Sequence, residues 1–237
     1  MNAVLYLAVG MPRAGSGWHY NLMHDLVVAG GGSDAHEMRR RWFLLKPVLT
    51  EVNLNIRALS SKRLAVAQIP TLLGHSYTIK THSALTPIAR ELIEKGELRA
   101  SYIYRDPRAA LLSALEYGER AREAGRNNAF SHLESFAEGL DFVQQYLRIW
   151  EDWTTLEEVH CMRYEDLKGN YAGETAKLAE FLGLDAGDSQ VQAVLAKHHP
   201  DQAAKERKGQ HFQHGEAERF RKVFSGEELK RANLAFE

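Results

Sequence analysis

Residues 3–17 read AVLYLAVGMPRAGSG, an apolar run that passes directly into a loop rich in glycine and proline. The run over 3–9 has no charged position, which is typical of a strand buried on both faces of a parallel sheet. The loop over 11–17 contains too many helix breakers to be helical. Over 18–28 apolar residues recur at helical spacing, and the three glycines that follow end the predicted helix. The chain therefore begins with a strand, a glycine loop and a helix, which is the start of an α/β unit.

The same alternation continues along the chain. Further strands are predicted at 64–69, 77–80, 100–104 and 159–162. Helices are predicted at 46–59, 87–95 and 107–122, once or twice within 130–156, at 172–182, and in two short stretches near 216–223 and 226–235. Strands that alternate with helices indicate an α/β fold with a central parallel β-sheet flanked by helices. At this length we expect a single domain over residues 1–237.

The composition limits the function classes. The 237 residues carry 30 Lys or Arg and 31 Asp or Glu, so no overall field attracts nucleic acid or an anionic membrane, and any anion must be held by a local site. The single cysteine, Cys161, excludes an internal disulfide and suits a reducing compartment. No apolar run approaches the roughly 20 residues of a membrane span. We expect a cytoplasmic protein with no nucleic-acid partner and no membrane span.

The loop over 10–17 has the features of an anion site. In parallel sheets, ligands bind beyond the carboxyl ends of the strands, where this loop lies. Its glycines allow backbone N–H groups to face a ligand at a helix N-terminus, and Arg13 adds a full positive charge. The spacing approximates a Walker A loop, but Gly17 occupies the position of the Walker lysine, which disfavours hydrolysis of ATP or GTP. At this point a glycine turn that merely packs a helix on a strand is an equal alternative.

Charged side chains follow two later strands. Lys80 and His82 are two residues apart at a strand end, so both can face one site, and histidine is the commonest general base for a hydroxyl. Arg105 ends another strand and Ser113 lies on the helix that follows, where a guanidinium and a hydroxyl suit a phosphate. Taken alone, His82 better suits a solvated or structural role, and Arg105 suits a scaffold ion pair with Asp106 or another carboxylate.

Two more clusters complete the set. Tyr164 follows the last predicted strand and can stack on a base, although the adjacent Glu165 and Asp166 also suit a helix cap. Residues 207–209, Arg-Lys-Gly, lie in a polar and basic tail, where two cations suit phosphate capture and where solvated surface is the ordinary alternative. Together the clusters predict a site for a nucleotide with two separate phosphate positions.

In this combination and order, the segments resemble those of the PAPS-dependent sulfotransferases of cytosolic and bacterial type (PAPS is 3′-phosphoadenosine-5′-phosphosulfate). Residues 12–18, PRAGSGW, are similar to the family's 5′-phosphosulfate loop P-K-S-G-T-T-W, and 80–82 to its K-T-H segment. Residues 104–113, YRDPRAALLS, are similar to Y-R-D-P-R-D-x-x-x-S. Residues 163–167 are similar to R-Y-E-D-L, and 207–209 to R-K-G.

The resemblance implies a P-loop-containing nucleoside triphosphate hydrolase-like fold and transfer of a sulfuryl group from PAPS to a hydroxyl or amine, with PAP as product and no metal. It implies His82 as general base, with Lys80 and Arg13 stabilising the transferring group. It also implies a cofactor site that joins the five segments. The residues implied in that site are Arg13, Ala14, Gly15, Ser16, Gly17, Trp18, Arg105, Ser113, Tyr164, Arg207, Lys208 and Gly209.

Within that site the resemblance divides the roles by chemical group. The backbone N–H groups of Gly15, Ser16 and Gly17 are expected at the 5′-phosphate. Trp18 and Tyr164 are expected beside the adenine. The residues expected at the 3′-phosphate are Arg105, Ser113, Arg207 and Lys208.

The chain departs from the family pattern at three loop positions. Arg13 replaces a lysine, and Ala14 and Gly17 replace hydroxyl residues, so backbone N–H groups carry more of the expected binding. Residues 33–75 and 114–150, where the acceptor is expected, match no subfamily pattern, so a small molecule, a glycan or a lipid all stay open as acceptor. A kinase-like phosphotransferase and a non-catalytic nucleotide-binding protein of the same fold are the alternatives. The missing Walker lysine counts against the first, and the intact Lys80 and His82 count against the second.

Overall fold

The computed structural model describes residues 3–202 and 218–236. Within these ranges the centre of the fold is a four-stranded sheet in the order β2-β1-β3-β4, and every neighbouring pair is parallel. The strands are β1 (Leu5–Gly10), β2 (Tyr77–Thr81), β3 (Leu98–Tyr104) and β4 (His160–Arg163). The predicted α/β class with a central parallel sheet is therefore confirmed.

Helices connect the strands and cover the sheet. In chain order they are α1 (Ser16–Ala29), α2 (Ala35–Arg41), α3 (Ser61–Leu72), α4 (Pro87–Glu94), α5 (Pro107–Glu123), α6 (Phe136–Thr154), α7 (Tyr164–Gly169), α8 (Tyr171–Leu182), α9 (Ser189–Lys197), α10 (Phe220–Val223) and α11 (Gly226–Phe236). A 3-10 turn at Phe43–Leu45 lies between α2 and α3. Local chemistry sets several of the ends: Ser135 and Glu138 form a capping box at the start of α6, and Gly183 ends α8 in the left-handed conformation.

The two faces of the sheet pack against different helices. Residues aligned across parallel strands point to the same face, and Ala8 is aligned with Lys80 on one side and with Ser101 on the other. This face meets α1 and α8, since His19 bonds Ser101 and the ring of Phe181 stacks on His160. On the opposite face the Tyr77 hydroxyl donates to the Ala67 carbonyl of α3, and Tyr102 contacts Trp153 of α6.

Two elements predicted in the segment 46–69 are wrong. The predicted strand at 64–69 is part of helix α3, and the predicted helix at 46–59 is irregular chain. Leu64 and Ala67 are buried three residues apart, so the apolar run is one face of a helix, and a run this short has no decisive period. Residues 54–56 cannot be helical, because their backbone bonds Lys80: the Lys80 N–H donates to the Leu54 carbonyl (3.1 Å), and the Ile56 N–H donates to the Lys80 carbonyl (2.9 Å).

A row of polar side chains lies buried beneath α1. His19 Nε2 lies 2.8 Å from the Ser101 hydroxyl, which lies 2.9 Å from His160 Nδ1. The side chain of His19 is fully buried, and its Nδ1 atom has no hydrogen-bond partner in the described part of the chain. Burial lowers the pKa of His19 to about 3, and the nearby His160 and Lys80 lower it further. His19 is therefore neutral in the folded protein at every ordinary pH.

We expect the free energy of unfolding to fall as the pH is lowered from about 7 to about 4. The unfolded chain protonates His19 near its ordinary pKa of about 6.5, whereas the folded protein resists protonation down to a pKa of about 3. Between these values the unfolded state binds more protons, so stability rises with pH. Urea unfolding at a series of pH values measures the slope.

The variant His19→Asn should give a shallower slope than the unmodified protein. His132→Asn, which alters an exposed histidine, should keep the original slope. An unchanged slope in His19→Asn would contradict the assignment. If that variant does not fold, an NMR titration of the His19 ring in the unmodified protein gives the same answer.

Candidate functional site

The loop between β1 and α1 is a compact turn with an unusual backbone. The Met11 N–H donates to the Ile103 carbonyl (3.1 Å), and both Arg13 (φ 67°) and Gly15 (φ 82°) are left-handed. A Cβ atom on Gly15 would lie 2.6 Å from Cδ2 of Tyr164, so both the conformation and the space require glycine. At Gly17 a Cβ would meet no atom within 4 Å. There is therefore open space beside Gly17 in the first turn of α1, where a helix N-terminus can bind an anion.

Arg13 joins the loop to helix α5. Its Nε donates to the Ser113 hydroxyl (3.1 Å), and its guanidinium lies 4.4 Å from the centroid of the Tyr117 ring. Burial lowers the pKa of Arg13 to about 10; Tyr117 opposes the shift, and the charges of Arg120 and Arg105 add to it. The structure thus brings together Arg13 and Ser113, which the resemblance assigns to different parts of the nucleotide.

Lys80 and His82 lie at the carboxyl end of β2 and face the loop. The pKa of Lys80 falls to about 8 because of burial and the charge of Arg13. Its amino group makes no hydrogen bond or ion pair with the described residues. Because a carbonyl only accepts, the 2.6 Å contact between His82 Nδ1 and the Gly10 oxygen places the ring proton on Nδ1. The neutral ring then carries its lone pair on Nε2.

The pKa of His82 is also lowered, to about 4. Burial is the main cause and the charge of Lys80 adds to it, while the hydrogen bond to Gly10 acts in the opposite direction. The imidazole is therefore neutral near pH 7, with one nitrogen fixed by the loop backbone and the other available to accept a proton.

Arg105 lies between the loop and the segment after β4. Its guanidinium carbon lies 4.6 Å from the centroid of the Tyr164 ring, and one terminal N–H group donates to the Arg13 carbonyl (3.5 Å). The Nε atom of Arg105 is buried and makes no hydrogen bond with the described residues. The nearest Glu165 oxygen lies 3.9 Å from it, at ion-pair distance. The alternative of an ion pair with Asp106 is not realised, because Asp106 pairs with Arg108 at 2.7 Å. The alternative of a scaffold ion pair with another carboxylate is realised, because Arg105 pairs with Glu165.

Glu165 has a structural role that its position in the sequence does not indicate. It accepts from the Asp106 N–H (3.2 Å) and from Arg163, and helix α7 has no side-chain cap. The capping alternative for Glu165 is therefore wrong. This carboxylate instead ties the end of β4 to the end of β3.

Trp18 is held in place by residues that sequence reasoning missed. Its indole stacks on Tyr171 at a centroid distance of 6.0 Å, meets the Tyr164 ring edge-on at 6.2 Å, and donates to the His198 carbonyl (2.9 Å). His198 is fixed in turn, since its Nε2 lies 2.8 Å from Asp25. Neither Tyr171 nor His198 belongs to one of the sequence motifs. Both are distant from Trp18 in the sequence, so only the folded structure reveals these contacts.

The carboxylate of Asp25 holds His198 in place and is surrounded by basic side chains. Burial acts to raise its pKa, but hydrogen bonds from His198, His24 and Lys197 outweigh burial and leave the pKa below its ordinary value. Asp25 is thus ionised, and it ties α1 to the end of α9 through His198, whose carbonyl accepts from Trp18.

Three predicted residues, Arg207, Lys208 and Gly209, lie outside the described ranges. Over residues 3–202 and 218–236, no group of three His, Cys, Asp or Glu side chains could hold a metal ion. None of the helices in those ranges combines the length and the hydropathy needed to cross a bilayer.

A parallel sheet with a glycine loop and basic side chains at its carboxyl edge defines an anion-binding α/β protein. Residues 6–233 match the family model described as "Sulfotransferase domain", so the chain belongs to the sulfotransferase domain family. The family resemblance found in the sequence is therefore confirmed.

Curated relatives match at low identity. Sulfotransferase 1A1 of Mus musculus is 26% identical over 127 residues, which cover 51% of this chain and 42% of the relative. The amine sulfotransferase of Oryctolagus cuniculus is 21% identical over 193 residues, which cover 78% of this chain and 58% of the relative. The chain thus spans about half the length of the curated relatives it matches.

Solved structures share the fold. A mouse sulfotransferase complexed with PAP superimposes with a TM-score of 0.61 at 15% identity, covering 100% of this chain and 84% of the other. Retinol dehydratase in a complex with retinol and PAP superimposes with a TM-score of 0.60 at 16% identity, covering 99% and 80%. At these identities the likeness shows the fold.

We expect Gly15→Ala to destabilise the protein by about 1–3 kcal/mol, because alanine disfavours the left-handed backbone and its Cβ would collide with Tyr164. The matched variant Gly17→Ala adds the same methyl group into open space within α1, so we expect it to be neutral or slightly stabilising. Chemical denaturation of the two variants measures the difference. Equal stabilities would show that the turn does not depend on Gly15.

Proposed function

We propose that this chain, acting as one domain over residues 1–237, transfers a sulfuryl group from PAPS to a hydroxyl or amine of an acceptor. The observation that supports this is the meeting of Arg13, Lys80 and Arg105 from three segments around one glycine loop, with His82 bonded to the loop itself. Beyond the effect of burial, the charge of Arg105 lowers the pKa of Arg13 and the charge of Arg13 lowers the pKa of Lys80. The Nε atom of Arg105 has no hydrogen bond among the described residues. Both features are expected of a site for a ligand with several negative charges.

The groups around the loop fit the anionic ends of such a ligand. We place the 5′-phosphosulfate at Arg13 and Ala14 and at the N–H groups of Gly15, Ser16 and Gly17, where the helix dipole and the open space at Gly17 favour an anion. Gly17 also supplies no cation for a Walker-type phosphate, so a kinase-like activity is not proposed.

The 3′-phosphate is assigned to Arg105 and Ser113. Arg105 lies beside the loop, and of its guanidinium only one terminal N–H group has a hydrogen bond among the described residues, to the Arg13 carbonyl, so the other terminal N–H groups suit an anion. Arg207, Lys208 and Gly209 are assigned to the same phosphate on the family resemblance alone.

The base is assigned to the aromatic wall formed by Trp18 and Tyr164. Their edge-to-face contact, with Tyr171 stacked on Trp18, leaves no slot between the two rings, so we propose that the adenine packs beside them. The PAP in the complexes of structurally similar proteins is consistent with this nucleotide.

The arrangement can carry out the chemistry without a metal. The acceptor oxygen or nitrogen attacks sulfur, the bond from sulfur to the phosphate oxygen breaks, and the acceptor's proton passes to His82 Nε2. The leaving phosphate keeps the electron pair, and Lys80 and Arg13 stabilise its charge. Lys80, with a pKa of about 8, is mostly protonated at pH 7, and His82, with a pKa of about 4, is neutral, so each begins in the required state.

The acceptor is proposed to be a small molecule with an apolar part. Arg13 lies over Tyr117, which continues into a chain of rings: Phe130 at 5.2 Å, then Phe142 at 5.5 Å, then Tyr146 at 5.0 Å between successive centroids. An aromatic wall beside the transferring group suits an apolar acceptor better than a glycan. Retinol dehydratase, which shares the fold, has been crystallised with retinol and with androsterone.

Calorimetric titration tests the nucleotide assignment. We expect PAP to bind in the micromolar range and AMP at least about tenfold more weakly, because AMP lacks the 3′-phosphate. Arg105→Ala should weaken PAP at least about tenfold and leave AMP nearly unchanged, whereas Arg148→Ala, at an exposed position on α6, should change neither. Equal affinities for PAP and AMP in the unmodified protein would exclude the 3′-phosphate site.

Turnover of PAPS in a screen of acceptors tests the general base. His82→Asn should lower the rate of transfer by about 10²–10⁴-fold and change PAP affinity by less than about twofold, because the ring acts on the acceptor's proton. His132→Asn is the matched control at an exposed position. Near-normal turnover in His82→Asn would remove the base assignment. PAP binding by the unmodified protein without any transfer would favour the non-catalytic alternative.

A further inference from the structure

Positive charge is concentrated in one part of this nearly neutral chain. Residues 39–63, here called the basic segment, contain seven of the 30 Lys and Arg residues and one of the 31 Asp and Glu residues. The remaining residues therefore carry 23 basic and 30 acidic side chains. The balanced total conceals a local excess of positive charge. None of the residues assigned to the proposed transfer site belongs to this segment.

The folded structure presents much of this charge to solvent. Arg39 and Arg63 turn inward, since Arg39 Nε donates to the Leu49 carbonyl (2.9 Å) and Arg63 donates to the Ile56 carbonyl (3.1 Å). These bonds hold the irregular chain together. The remaining basic residues of the segment are exposed, and they are Arg40, Arg41, Lys46, Arg57 and Lys62. Among them Arg40 also forms an exposed ion pair with Glu37, just before the segment, at 3.2 Å.

Large apolar side chains are exposed on the same segment. Phe43 is 76% exposed, Leu44 57% and Val52 79%. Phe43 and Leu44 belong to the 3-10 turn that is separated from Arg41 by one residue, and the Lys46 amino group lies 5.0 Å from the centroid of the Phe43 ring. Exposed aromatic and aliphatic side chains set among cations are the composition of segments that lie in the interface of an anionic bilayer.

The basic segment is also anchored beside the proposed transfer site. Its residues Leu54 and Ile56 exchange backbone hydrogen bonds with Lys80, and Leu54 (φ 45°) and Arg57 (φ 59°) are left-handed on either side of this contact. Apart from Arg13, no other non-glycine residue in the described ranges has a positive φ. The segment therefore has a defined conformation at the edge of the sheet next to β2.

We propose that the basic segment docks the protein on the surface of an anionic lipid bilayer. Phe43 and Leu44 enter the boundary between headgroups and acyl chains, while Arg40, Arg41 and Lys46 contact lipid phosphates. A polyanion in solution would pair with the cations but would leave the apolar side chains in water, so the combination favours a lipid surface. Docking there brings the end of β2 towards the membrane.

Co-sedimentation of the full chain with vesicles tests the proposal. We expect binding to vesicles of phosphatidylcholine with about 30% phosphatidylserine, weakening as salt is added, and little binding to phosphatidylcholine alone. Both Arg40→Glu/Arg41→Glu and Phe43→Ser/Leu44→Ser should weaken binding at least about tenfold.

Two control variants match these changes outside the basic segment. Arg148→Glu/Lys230→Glu makes the same change in net charge, and Val223→Ser/Leu234→Ser removes two other exposed apolar side chains; both should bind vesicles normally. No binding to anionic vesicles, or equal losses in the control variants, overturns the proposal. Binding to heparin together with normal vesicle binding by Phe43→Ser/Leu44→Ser would instead identify a polyanion site. PAP titration of each variant reports the nucleotide site separately, so failure of docking is distinct from failure of the proposed transfer.

Discussion

The left-handed turn at Gly15, packed against Tyr164, is the constraint on which the site depends. It lets the chain leave β1 and enter α1 with no side chain between the loop and the segment after β4. The same turn places Arg13 against helix α5 and leads directly into the first turn of α1. A Cβ at this position would push apart the two segments that the proposed nucleotide has to bridge, because interiors are packed too closely to absorb it.

The site is positively charged at some expense to stability. Arg13, Lys80 and His82 all have lowered pKa values, and burial is the main cause in each. Cations held together away from water are unfavourable unless an anion joins them. The proposed co-substrate carries several negative charges, so the unfavourable grouping of these cations favours its binding. The extensive buried core around the sheet offsets the unfavourable term.

Alignment across the sheet links the site to the core. Lys80, Ala8, Ser101 and His160 lie in one row on the same face, and the small side chain of Ala8 leaves room for His19 between them. The hydrogen bonds from His19 through Ser101 to His160 seat α1 on the sheet, and the bond from Asp25 to His198 holds its outer side. Trp18 directly precedes His19 and donates to the His198 carbonyl, so both attachments contribute to its orientation.

The sequence by itself determined the α/β class, the strand, loop and helix at the start of the chain, and four segments that the folded chain brings together around the loop. These follow from local rules: buried strands are apolar runs, helices have a period near 3.6, and glycine permits turns that other residues resist. The same rules failed over 46–69, where an apolar run was too short to show its period and where residues 54–56 pair with a strand more than twenty positions further on. Only the tertiary structure decided that Arg13 bonds Ser113, that Glu165 joins two strand ends, and that His198 holds Trp18 from 180 residues away. Such contacts depend on strand register and helix packing, which bring distant residues together and leave no periodic trace in the chain.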